Sequence, residues 1–395
     1  MFAVNFDFTQ EQEKFREEIR DFLKLELKQG SFIPKQNAWM QGYSQEFSRK
    51  VSQKGWIGLT WPKEYGGQGR SYVDRAILQE EMLKVGAPLA YHYMGERQIG
   101  PALLHFGSDE LKKEFLPKII NVEATFCIAL SEPDVGSDLV SVATTALEKE
   151  DYYVVNGQKV WTSYGHIADY AWLLAKTNLD PNLPKHKTLS EFILDMKSPG
   201  LTVRPIINIL DAHNLNEVFL DDVRIPKNRL IGKKDKGFGQ IMEQMAYERA
   251  GIERLMQNYP VKECLIEYAK TTKRNGQYLW EDPRIRNVIA TLETEFNIGR
   301  LLCYHVAWTI DQGKVPTYEA SVSKAFCTQF EKRLSDAATQ LMGLYGQLLP
   351  GSKWAPYEGI APESYLLSPS YTLQGGTVEI LKNIIALRGL KLQTK

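Results

Sequence analysis

Glu248 lies where a carboxylate is expensive. Ile241, Met245, Ile252 and Leu255 recur at helical spacing and form an apolar stripe. Position 248 falls on that stripe, three residues after Met245 and four before Ile252. An ionised carboxylate on a buried face is unfavourable unless it is paired. Desolvation raises its pKa toward the range in which a carboxylate serves as a general base. A neutral Gln in its place is then expected to leave stability intact or slightly raised. The structural alternative is a Glu at the edge of the stripe, paired with the adjacent Arg249 or reaching water.

Three other segments carry residue types suited to ligand binding. In LSEPDVGSD (130–138), Ser131, Gly136, Ser137 and Asp138 surround a proline. A tight loop of this kind can aim hydroxyls and backbone N–H groups at a phosphate or a polar ring, although the same residues also mark ordinary turns. Trp161-Thr162-Ser163 ends a strand pattern with a flat side chain followed by two hydroxyls; a core Trp with strand-end polar residues is the alternative. In LQGGTVEI (373–380), two glycines let the backbone pass close to a ligand, and Thr377 is placed to cap the final helix. GKKDKGFG (232–239) lacks the Lys-Ser/Thr of a phosphate-binding loop and reads as a linker.

The elements that must position these residues fall into three blocks. Thr9 and Gln12 have capping-box spacing, and Phe15, Ile19, Phe22, Leu23 and Leu27 follow at helical period. Further helices are predicted near 45–54, 73–86 and 109–120, with a Gly- and Trp-rich loop at 55–69. From about 125 to 226 the signals are strands. YYVV and QKVW flank Asn156-Gly157, which predicts a hairpin with a type I′ turn there. Helices return near 237–258, 260–274, 284–312, 317–344 and 377–389. Residues 346–372 carry four prolines and read as a long irregular stretch. The order predicts an α+β fold: an N-terminal helical domain (1–123), a central antiparallel β-domain (124–232) and a C-terminal helical bundle (233–395).

Composition excludes several classes. Lys plus Arg and Asp plus Glu are 48 each in 395 residues, so the net charge is zero, which argues against non-specific nucleic-acid binding. Cys127, Cys264, Cys303 and Cys327 form no CxxC pair, and the histidines show no HxxxH spacing. Free thiols in a reducing compartment and no zinc are expected. The N-terminus has no basic-then-apolar leader pattern, and no 18-residue apolar stretch occurs. The expected location is the cytoplasm.

Taken together, FCIALSEPDVGSD (126–138), VNGQKVWTSYGHIADY (155–170), NEVFLDDVRIP (216–226) and YTLQGGTVEILKNIIALRGL (371–390) resemble the acyl-CoA dehydrogenase family along nearly the whole chain. The family fold has the same domain order, with a four-helix bundle at the C-terminus. The resemblance implies FAD as cofactor and a carboxylate that takes the α-proton of an acyl-CoA thioester while the β-hydrogen leaves as hydride to flavin N5, giving a 2,3-enoyl-CoA. It also implies an oxyanion site built from a ribityl hydroxyl and a backbone N–H, here that of Gly375. One group of the family places the Glu directly before Gly-Thr in the C-terminal signature, where this chain has Gly375. A second group, like isovaleryl-CoA and long-chain dehydrogenases, places it before an Arg on a bundle helix, here Glu248-Arg249.

By the same resemblance, Leu130, Ser131, Gly136, Ser137, Trp161, Ser163, Thr377 and Glu379 contact FAD. Ser137, Tyr247, Arg249, Gly375 and Gly376 contact substrate. Gln340 and Gly343 reach the adenine half of a neighbour's FAD. The family's Arg-x-x-Phe-Gly motif is absent: Thr272 and Asn275 replace the Arg and Phe, Gly276 remains, and Lys273 or Arg274 supplies the charge, Arg274 being the cofactor-binding candidate. This pattern is similar to bacterial members acting on bulky, ring-containing or branched acyl-CoAs, steroid-type ones included. Some of those are heterotetramers with one non-catalytic subunit type. The implied partners are an electron-transferring flavoprotein and either a second copy or a paralogous subunit. A non-catalytic partner subunit, or a flavin oxidase or monooxygenase, is the alternative function. The Gly at 375 is expected to free space for a larger acyl group, lined or covered by residues 346–372.

Overall fold

The structure is a computed structural model and describes residues 7–393. The leader-peptide reading falls partly on residues 1–6, outside the described ones.

Seven helices come first: α1 (Gln10–Lys28), α2 (Ala38–Gln41), α3 (Gln45–Gln53), α4 (Tyr72–Lys84), α5 (Ala90–Met94), α6 (Gly100–Phe106) and α7 (Asp109–Ile120). The Thr9 capping box forms as expected. A π-helical turn, Gly95–Ile99, joins α5 to α6. The Gly- and Trp-rich loop packs inward: Trp56 and Trp61 are buried, and a Cβ at Gly100 would overlap the Trp61 ring. Its composition serves packing.

The strands are β1 (Phe126–Ala129), β2 (Thr145–Glu148), β3 (Tyr152–Lys159), β4 (Tyr170–Lys176), β5 (Leu189–Asp195), β6 (Leu201–Ile207), β7 (His213–Pro226) and β8 (Leu230–Ile231). The sheet runs β6-β7-β3-β2-β4-β5-β8, with β1 also on β4. Most pairings are antiparallel, but β1 and β2 both lie parallel to β4, so the sheet is mixed. The two act as one interrupted strand, and residues 130–144 leave the sheet at the interruption. β4 is buried on both faces: Ala171 and Leu173 join the inner core of the sheet, while Trp172 joins the helical core.

Asn156-Gly157 is not a turn. It lies inside β3, which runs unbroken against β7 with a register shift between Val155 and Gly157. Gly157 marks a bulge, where a Cβ would strike Thr144. The type I′ geometry occurs instead at Asn275-Gly276, both with positive φ, between the short strands β9 (Lys273–Arg274) and β10 (Gln277–Tyr278).

The C-terminal helices are α8 (Gly237–Glu248), α9 (Glu253–Met256), α10 (Tyr259–Thr271), α11 (Pro283–Asp311), α12 (Thr317–Met342), α13 (Ile360–Leu373) and α14 (Val378–Ile384). The helix expected at 237–258 is broken after Glu248. The irregular stretch is shorter than expected because α13 starts at Ile360 and accommodates both Pro362 and Pro369. Pro362 sits in the first turn, where N–H groups have no intrahelical acceptor to lose.

Candidate active site

Glu248 ends α8, and the break there brings it into a crowd of charge. Gly251 permits the break, since a Cβ at that position would collide with the Glu253 carboxylate. Arg97, from the π-helical turn, donates to the backbone carbonyl of Glu248 and so satisfies an orphan acceptor of the helix end. The Glu248 side chain is buried, with 8% of the residue exposed. Its Oε1 accepts from Arg254 Nη2 at 2.6 Å and lies 3.8 Å from Arg97 Nη1. Its Oε2 is buried without a hydrogen-bond partner among the described residues.

The pKa expectation is therefore reversed. Burial pushes the Glu248 carboxyl up, but Arg254, Arg97, Lys324 and Arg249 together outweigh burial and hold it at about 2. The group is an ionised, cation-paired carboxylate. The expected harmlessness of Gln at this position falls with it, because a neutral side chain would leave buried cations uncompensated.

The segment 374–377 closes over the carboxylate. A Cβ built on Gly375 would lie 3.0 Å from Glu248 Oε2 and 2.9 Å from Arg254 Nη2. The volume vacated by a side chain at 375 is thus filled by Glu248 and Arg254, and no room for a larger acyl group is freed there. Lys324, buried on α12, donates to Gln374 O at 2.7 Å and to Gly376 O at 2.5 Å. Arg249 Nε donates to Gly375 O at 3.1 Å. Thr377 caps α14 by accepting from Ile380 N, and Glu379 stands exposed in its first turn. Of residues 346–372, Tyr371 approaches this cluster, its ring 5.8 Å from that of Trp39, over which Arg254 lies.

A second group forms where the sheet is interrupted. Lys159, fully buried at the end of β3, donates to Leu130 O at 3.1 Å and to Glu132 Oε1 at 2.8 Å. Val160 N donates to Ser131 O. Glu132 also accepts from the backbone N–H groups of Ala143 and Thr144. Burial lowers the Lys159 amine to about 8, against the opposing pull of Glu132. Gly136 and Ser137 lie exposed at the loop's tip. Trp161 follows the strand with positive φ and 59% exposure, and Ser163 is half-buried beside it. An exposed Trp in the left-handed region is a costly arrangement and fits a flat cofactor lying against it.

Arg274 donates to Leu341 O at 2.9 Å, which joins it to the Gln340 and Gly343 end of α12. At 1.5 Å per residue that end lies about 24 Å from Lys324, so these residues make a separate cluster. Tyr247 is stacked on His105, the ring centroids 5.5 Å apart. It lines a cavity of about 30 Å³ with Tyr72, Arg75, Glu96, Arg97 and Gly251, large enough for one or two waters.

Several residues here escaped the sequence reading: Arg97, Arg254, Lys324, Glu132 and Lys159. A signal existed for one, since Glu253-Arg254 repeats the Glu248-Arg249 dipeptide five residues later. Among the described residues no group of His, Cys, Asp and Glu is arranged to hold a metal ion, and no helix is long and apolar enough to cross a membrane.

Comparison with known proteins identifies the family. Residues 9–123, 127–223 and 235–390 match the N-terminal, middle and C-terminal domain models of the acyl-CoA dehydrogenases. The acyl-CoA dehydrogenase IpdE1 of Mycobacterium tuberculosis is 31% identical, covering 97% of this chain and 98% of its own. Among solved structures, the Tcur3481–Tcur3483 steroid acyl-CoA dehydrogenase superposes with a TM-score of 0.88 at 27% identity, over 99% of this chain and 100% of that one. The ChsE4–ChsE5 complex of Mycobacterium tuberculosis does so with 0.86 at 29%, over 99% and 100%. The chain belongs to the acyl-CoA dehydrogenase family of FAD-dependent oxidoreductases.

Proposed function

We propose that the protein removes the α-proton of an acyl-CoA thioester with Glu248 and yields the 2,3-enoyl-CoA. The observation that carries this reading is the coincidence in space at position 375. The carboxylate of Glu248 lies where a side chain on the C-terminal loop would begin, so a helix-borne base reaches the place served by a loop-borne one. The unpartnered Oε2 is the atom free to take the proton.

The low pKa keeps Glu248 ionised at neutral pH but makes it a weak base. Entry of the thioester must therefore loosen the Arg254 hydrogen bond. The Gly375 N–H stabilises the enolate oxygen. FAD would supply the acceptor for the β-hydride. Leu130, Ser131, Gly136, Ser137, Trp161, Ser163, Thr377 and Glu379 would hold it, and Arg274, Gln340 and Gly343 would serve the adenine half of a neighbour's cofactor. Ser137, Arg249 and Gly376 line the thioester's approach, and Tyr247 faces the acyl side.

The steroid-type relative supports a bulky, ring-containing or branched acyl group, with electrons passing to an electron-transferring flavoprotein. The free thiols suit the cytoplasm. The test is anaerobic stopped-flow reduction of Glu248→Gln by acyl-CoAs that reduce the wild-type flavin. A fall of about 10²–10⁴ is expected for loss of a general base, with FAD retained. Near-normal reduction would remove Glu248 from the role, and turnover fastest on butyryl-CoA with none on cyclic or branched esters would remove the bulky-substrate reading.

A further inference from the structure

We propose that Lys324 is a positioning residue that sets the direction of the Gly375 N–H and so preorganises the oxyanion site; this rests on the dehydrogenase reading above. Three successive carbonyls, those of Gln374, Gly375 and Gly376, are held by basic side chains. Lys324 takes the first and third, and Arg249 the second. A trans peptide is planar, and its C=O and N–H point in opposite directions. Fixing the Gln374 carbonyl on Lys324 therefore fixes the Gly375 N–H on the opposite side of that peptide. Gly375 and Gly376 both adopt positive φ and have no side chain to restrain them. Without such ties this segment would have the widest conformational freedom in the site.

The anchor is rigid. Lys324 is 1% exposed and lies on the 26-residue helix α12, which packs on both α13 and α14. The loop is thus held by the helix that supports the elements on either side of it. Burial, with Arg254 and the other nearby cations, pushes the Lys324 amine down to about 6 despite the attraction of Glu248. Electrostatic donors act in catalysis only when aimed before the charge develops, and the aim here comes from a residue placed behind the loop.

The experiment uses the FAD-loaded enzyme with Lys324→Met and Lys324→Gln, and acetoacetyl-CoA as an enolisable probe that is not dehydrogenated. Long-wavelength charge-transfer absorption against pH reports the acidity of the bound probe, and anaerobic reduction by a substrate acyl-CoA reports the rate. Lys324→Met should raise the apparent pKa of the bound probe by about one unit or more, the tenfold loss expected for one misaimed donor. The limiting reduction rate should fall by at least about tenfold. FAD content and the probe's dissociation constant should stay within about threefold of wild type, and Lys324→Gln, which keeps an N–H donor, should lie between. Unchanged probe acidity and reduction in Lys324→Met, with Glu248→Gln inactive, would overturn the positioning role alone. Failure of both variants to fold with FAD would make Lys324 a scaffold residue and overturn it too. A wild-type enzyme that neither enolises the probe nor is reduced by any acyl-CoA would sink the dehydrogenase reading and the clamp together.

Discussion

Three arginines and Lys324 around one buried carboxylate make Glu248 a contributor to stability beside its proposed part in the chemistry. Its folded pKa, about 2, lies below the ordinary 4.5. Such a group stabilises the fold above pH 4.5 and loses that contribution as pH falls through 2. Glu248→Gln should therefore be less stable than wild type at neutral pH by about 3 kcal/mol, and the deficit should close as pH drops from 4.5 toward 2. Urea unfolding of both proteins across that range measures it, and a variant as stable as wild type at pH 7 would contradict the pairing. The position of Glu248 was legible in the sequence because a stripe has a period. Its electrostatics were not, because Arg97 stands 151 residues before it and Lys324 stands 76 after it. Periodicity reports which face is buried and is silent about who else arrives there.

At the scale of elements, β1 and β2 are one strand opened to let residues 130–144 out, and the Lys159–Glu132 pair closes the opening from inside. Lys159→Met should leave Leu130 O and the Glu132 carboxylate without their buried donor, a change that costs a few kcal/mol when a charge partner is removed. The expected outcome is FAD affinity at least about tenfold weaker, since backbone groups of this loop would no longer be held in place. Titration of the deflavinated protein with FAD, followed by flavin fluorescence, measures it. Affinity equal to wild type would mean that the loop holds its shape without the pair. The loop's residue types were readable beforehand, but its support was not, since a lysine in a strand pattern reads as a solvated residue. The two Asn-Gly dipeptides show the same limit. Asn156-Gly157 sits between strand-like runs and is overruled by the long β7 beside it, whereas Asn275-Gly276 has only two-residue strands to join and adopts the turn. Local turn chemistry decides where no longer pairing competes.

At the scale of the whole molecule, α11 is apolar on two sides. Ile289, Leu292, Phe296, Cys303 and Ile310 face the core, while Ile298, Leu301 and Trp308 stand 42–45% exposed along another face, with His305 stacked on Trp308. A helix apolar all round is normally buried, and exposed apolar faces of this kind mark association surfaces. Leu344, Tyr345 and Trp354 are also exposed apolar side chains that follow the Gln340–Gly343 end of α12 in the chain, the region proposed to serve a neighbour's FAD. We therefore expect an oligomer, homotetrameric or built with a paralogous chain, that covers these faces. Sequence alone reads α11 as a long helix with apolar residues throughout and does not separate its inward from its outward face; the packing against α4 and α12 makes that division. Leu301→Glu places a charge at the centre of the outward face and disturbs nothing in the core. It should weaken assembly by about 2 kcal/mol or more if Leu301 is an interface anchor, seen as a lower mass in sedimentation equilibrium, while the circular dichroism of the chain stays unchanged. If the wild-type chain, loaded with FAD, sediments as a monomer both alone and with its paralogous candidates, the outward face of α11 has another purpose and the proposed sharing of FAD between subunits fails with it.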